Sequence, residues 1–143
     1  MKNDTLKAKE ILEKGNHTCV IVGNDVCITE DRRGVSPLLD FYEKGMQFTS
    51  CCAADKVIGK AAAMLYVLLD ISEVYTFVIS RKAEEVFRKH SVSYHADCTV
   101  DNIINRNKTG FCPMEEAVTD IEKPEEAIGA IRIKLLELTG GKQ

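Results

Sequence analysis

The chain has no apolar run long enough to cross a bilayer; its longest, Ala61 to Leu69, is nine residues. It also lacks an excess of positive charge. With 19 Lys+Arg against 22 Asp+Glu the net charge is −3, which argues against a nucleic-acid binder working through a basic face. The segment Met1 to Lys14 is polar and lysine-rich, without the apolar core of a secretory signal, so a cytoplasmic location is expected. No C-x-x-C pair occurs. The six cysteines (Cys19, Cys27, Cys51, Cys52, Cys98 and Cys112) are too few for a disulfide scaffold and read as free thiols, most of them small buried groups. Internal repeats, low-complexity tracts and linkers are absent as well. What is present is an ordinary soluble composition, 45% hydrophobic and 29% charged over 143 residues. Residues 1–143 therefore read as a single domain, long enough to bury roughly 68% of its unfolded surface.

Helix and strand signals alternate along the chain. Asp4 or Thr5 can cap a first helix that ends at Gly15. Thr18–Val22 and Val26–Glu30 read as strands joined through the turn-forming Gly23-Asn24-Asp25. Ser36 offers an N-cap oxygen, Pro37 fits the first helical position, and Gly45 closes that helix. Met46–Ala54 reads as a buried strand. Asp55 then caps an apolar helix to about Leu69, which belongs in the middle of the molecule. Val74–Ile79 is a central strand, and Ser80 caps a helix whose apolar face is Ala83, Val86 and Phe87. Val92, Tyr94 and Ala96 alternate as in a half-buried strand. Val100–Gly110 reads as a short helical turn and then a polar loop; Pro113 and Pro124 each open a helix, the last carrying Ala127, Ile131, Leu135 and Leu138. The order describes an α/β domain with helices on both faces of the sheet.

Candidate chemistry narrows to two stretches. His95-Ala96-Asp97 with Cys112-Pro113 echoes a zinc deaminase signature, but the second thiol is missing, the Pro-Cys order is transposed, and His95 falls in a strand. No metal is expected there. Gly59-Lys60 fails as a phosphate loop, because positions 54 and 61 are both Ala. Asp55, Lys56 and Lys60 nevertheless sit at the start of the apolar helix. Two ammonium groups at that positive end call for an anion or carboxylate, unless both reach out to solvent. The second stretch runs from Asn105-Arg106 to Cys112-Pro113-Met114-Glu115. A thiol at a helix N-terminus is a candidate nucleophile, and equally a simple helix cap. Arg106 has the planar fork that suits a carboxylate or phosphate.

These stretches, Ala53-Ala54-Asp55-Lys56-Val57-Ile58-Gly59-Lys60-Ala61-Ala62-Ala63, Asn105-Arg106 and Thr109 to Glu115, with Gly34-Val35-Ser36-Pro37-Leu38, resemble a family of small prokaryotic proteins of unknown function. The resemblance covers nearly the whole chain. It implies a cytidine deaminase-like fold, a three-layer α/β/α sandwich around a mixed five-stranded sheet. Deaminases place zinc between the N-termini of the second and third helices. The corresponding segments, Gly34–Leu38 and Ala54–Lys60, hold Ser36, Asp55 and Lys56 in place of zinc ligands.

Two classes of function follow. One is a small-molecule site, binding or catalytic, for an anionic or nucleotide-like ligand and without a metal or other cofactor. Cys112, Asp55 and Lys56 are its candidate catalytic groups, and Ser36, Lys60, Arg106 and Glu115 its candidate ligand-binding groups. A shared site requires the two stretches to meet within about 10 Å. The other class is a non-enzymatic interaction or regulatory module. Neither nucleic acid nor membrane is an expected partner, and a homodimer is the candidate assembly.

Overall fold

The computed structural model describes residues 1–104 and 112–139. The strands β1 (Cys19–Gly23), β2 (Val26–Glu30), β3 (Cys52–Ile58), β4 (Glu73–Ser80) and β5 (Ser93–Val100) form one mixed sheet in the order β2-β1-β3-β4-β5. β1 is antiparallel to both β2 and β3, while β3, β4 and β5 are parallel. Four strands thus run one way and β1 runs against them. The C-terminal ends of β2, β3, β4 and β5 share one edge of the sheet with the start of β1.

Alternation along the strands splits the core in two. Val20, Val22, Ala54 and Tyr75 meet Ala8 and Leu12 of α1 (Asn3–Lys14) on one face. Cys19, Ile21, Ala53 and Val74 belong to the larger core on the other face. That core is built with α2 (Ser36–Glu43), α3 (Lys60–Leu68), α4 (Arg81–Lys89), the short α5 (Pro113–Ala117) and α6 (Pro124–Leu138). The apolar helix expected in the middle of the molecule is α3, where Ala61 to Tyr66 are all buried. It packs against α2, α4 and α6.

α1 is tied down by a buried carboxylate at the opposite edge of the sheet. Glu73 accepts hydrogen bonds from the Thr5 hydroxyl at 2.6 Å and the Lys2 amide at 2.7 Å. Burial alone would raise its pKa; these bonds and the nearby His95 hold it below the usual value.

Several boundaries differ from the sequence reading. Met46–Cys51 is turn and loop, and β3 begins only at Cys52. Asp55 caps no helix: it lies inside β3, in register with Cys19 on one side and Thr76 on the other. Strand pairing through Val57 and Ile58 outweighs the local capping signal, and α3 starts after Gly59. Ser36 is not a cap either. Val35 takes that place, its carbonyl accepting from Leu39 at 2.9 Å, which leaves the Ser36 side chain one residue too late. Of Val100–Gly110, the described part beyond β5 is a bend ending in a bridge residue at Ile104, not a helical turn.

Ser80 does cap α4, its hydroxyl accepting from the Ala83 amide at 3.1 Å. Ser80→Ala is expected to lower stability by about 1 kcal/mol, read by urea unfolding. A change under a few tenths would mean that the cap contributes nothing.

Candidate functional site

Two features of the shared sheet edge involve the residues singled out in the sequence. The first is a carboxylate across a helix start. Glu115 of α5 accepts from the Lys60 amide through Oε1 at 2.9 Å and from the Ala61 amide through Oε2 at 3.1 Å. α3 has no capping side chain of its own, since its N-cap is Gly59. Glu115 supplies from a distant segment both the acceptors and the negative charge that the exposed amides attract. The fit requires glycine: a Cβ at position 59 would lie 2.5 Å from the Glu115 carboxyl carbon. The Lys60 ammonium turns aside and donates to the Thr119 carbonyl at 3.0 Å. It reaches a cleft of about 230 Å³ between α3 and α4, where Lys82 and Lys89 are offset by Glu85 and Glu122. Asp55 does not line that cleft.

The second feature is a polar chain inside the large core. The Tyr66 hydroxyl, on the fully buried face of α3, donates to Asp55 Oδ2 at 2.6 Å and lies 3.1 Å from Cys19 Sγ. Among the described residues Oδ1 of Asp55 accepts from the Val57 amide at 3.3 Å, and the Lys56 amide also favours the carboxylate. No lysine, arginine or histidine pairs with Asp55 among the described residues. Burial pushes its pKa up to about 6, against the opposing pull of the Tyr66 bond. Burial and the neighbouring carboxylate raise Tyr66 and Cys19 too, so phenol and thiol stay protonated.

The expected residues are thus partly brought together. Lys60 and Glu115 are in contact, as a shared site demands. Lys56 follows Asp55 along β3 and its exposed side chain lies on the opposite face, so the two do not converge. Nor do Lys56 and Lys60 share a helix face, because the first is in a strand. Ser36 makes no side-chain hydrogen bond among the described residues, and Arg106 lies outside them. Cys112 is the N-cap residue of α5; its carbonyl accepts from the Glu115 and Glu116 amides, while its thiol caps nothing.

The sequence reading missed Tyr66 and Cys19. A tyrosine amid the alanines of a buried helix was the available signal, because a buried phenol needs a hydrogen-bond partner. His95 and Asp97, the discarded zinc echo, serve the sheet: His95 lies 3.5 Å from Glu73, and Asp97 accepts from the Tyr75 hydroxyl at 2.6 Å.

Thiol accessibility gives a direct check. Of the six thiols read as mostly buried, Cys27 is exposed on the edge strand β2 and Cys98 on β5. Cys19, Cys51 and Cys52 are buried, and Cys112 is intermediate. Limited iodoacetamide treatment followed by peptide mapping should modify Cys27 and Cys98 well before the buried three. Cys112 retains a nucleophile's role only if it outpaces those two more exposed thiols.

Comparison with known proteins adds a family. The model of the domain of unknown function DUF1893 (TM1506) matches residues 7–135. A crystal structure of a DUF1893 family protein (TM1506) from Thermotoga maritima, at 2.70 Å resolution, superposes with a TM-score of 0.84 and 22% identity. The match covers 94% of this chain and 92% of that one, and shows a common fold. No curated protein matches.

Proposed function

Given that the chain belongs to the DUF1893 family, whose function is unknown, we propose from its own geometry that it is a small-molecule domain, binding or catalytic, with its ligand at the shared sheet edge beside Asp55. The observation that carries this reading is a partly buried carboxylate without a cationic partner among the described residues, held on one oxygen by Tyr66. Ligands of open α/β sheets meet the carboxyl ends of strands, and a carboxyl poised near neutrality is suited to acid–base work.

The scaffold proposed is the cytidine deaminase-like sandwich. A five-stranded mixed sheet, with α1 on one face and the other helices opposite, supports it. Zinc chemistry does not fit. The helix starts that would hold the metal carry Val35 and Ser36, and Gly59 and Lys60, none of which supplies the His or Cys ligands of a zinc site. Among the described residues no three His, Cys, Asp or Glu side chains converge. The site is accordingly zinc-independent. Its ligand is nucleotide-like and is met at the Asp55 carboxyl, since Lys56 lies on the other face of β3 and the Lys60 ammonium is held by the Thr119 carbonyl. A cytoplasmic setting goes with this reading.

A thermal-shift screen of nucleotides and phosphorylated metabolites tests it. Binding at about 100 times the dissociation constant adds about 2.7 kcal/mol, a rise of several degrees that should shrink in Asp55→Ala. One observation favours a second reading, an interaction module: Glu115 and Gly59 have a structural task that explains their part of the motif without any ligand. A screen with no stabilising compound would favour that module.

A further inference from the structure

Glu115 already fills the positive end of α3. Both of the amides it engages are used, and the Lys60 ammonium is turned to Thr119, so a phosphate finds no vacant cradle at this helix. A partly buried polar group at the edge that retains accepting capacity among the described residues is Asp55. Its Oδ2 is held by Tyr66, whereas among the described residues Oδ1 has a long bond to the Val57 amide and lies near the Lys56 amide, with no side-chain donor. The residue keeps partial solvent contact, and Tyr66 is anchored from behind by Cys19.

We propose that Asp55 receives an N–H donor of an amidine- or amide-type ligand, so that the recognised end of the ligand is a nitrogen donor and not a phosphate. This rests on the sheet-edge site proposed above and specifies its ligand class. Such a donor supplies the side-chain partner that Oδ1 does not find among the described residues, and a cationic amidine also compensates the carboxylate's charge. Tyr66 is the positioning residue: its short bond turns the carboxyl so that one oxygen is left for the ligand.

The test is amide-resolved NMR of the full chain titrated with benzamidine and, separately, with inorganic phosphate. Benzamidine should shift amides at Thr18–Val20 and Ala54–Val57, and Asp55→Asn should weaken that binding at least tenfold. The variant's own spectrum reports whether it is folded. Phosphate should leave Lys60 and Ala61 unmoved. Benzamidine shifts that are absent, or that survive Asp55→Asn unchanged, overturn the ligand class. If nucleotides still stabilise the wild type in the thermal screen, the site stands and only the nitrogen-donor assignment falls. Phosphate shifting Lys60 and Ala61 while benzamidine is silent replaces that assignment with anion recognition.

Discussion

Asp55→Asn is expected to make the protein more stable at pH 8, by up to about 3 kcal/mol, with the gain vanishing near pH 4. The sign follows from the raised pKa. In the unfolded chain the carboxyl loses its proton near 3.8, whereas in the folded chain it keeps it to about 6. Below both values the group is neutral in either state. Between them the folded form holds the extra proton, so stability falls as pH rises. Above about 6 the full cost of enclosing a charge is present. Asparagine keeps an oxygen for the Tyr66 hydroxyl and never carries that charge. Urea unfolding of wild type and variant at pH 4, 6 and 8 measures the gap, and the difference isolates Asp55 from other carboxylates, such as Glu30, which Arg32 holds down to about 2. A gain of this kind marks a residue kept for a task other than folding. If the variant is instead less stable at pH 8, the carboxylate serves the fold and the site proposed around it loses its support.

Gly59→Ala is expected to cost about 1–3 kcal/mol and to lower the melting temperature by several degrees. The backbone at Gly59 is extended, with φ −100°, so an alanine is not strained there. The cost comes from its methyl group, which occupies the place of the Glu115 carboxyl and drives it off the Lys60 and Ala61 amides. Glu115→Ala removes the same cap without a clash and should cost about 1–2 kcal/mol. The double variant decides the mechanism. Once Glu115 is truncated there is nothing left for the methyl to displace, so the two costs should not add. Additive losses would place the effect of Gly59 elsewhere.

The pair also shows what can be read from local pattern. Gly59, Lys60 and Glu115 all stand in the two candidate stretches, where two lysines before an apolar helix called either for a carboxylate at its start or for both ammonium groups to reach solvent. The source of that carboxylate was not legible. Glu115 lies 55 residues from Lys60, and no periodicity carries information across that separation. Asp55 failed in the opposite direction: its polar side chain before an apolar run has the look of a cap, but pairing with β1 and β4 drew it into a strand. That shift placed Lys56 on the far face and brought Asp55 onto Tyr66.

By itself the sequence determined the kinds of element and their order. Apolar spacing, three helix-opening prolines, the hairpin turn and the Ser80 cap are decided within a few residues, because they depend on backbone geometry and the side chains nearest it. The tertiary structure alone decided which groups meet. The Cys19–Tyr66–Asp55 chain and the Glu115 cap arise where β1, β3, α3 and α5 converge at one sheet edge, and hydrogen bonds of under 3.5 Å depend on packing between elements distant along the chain.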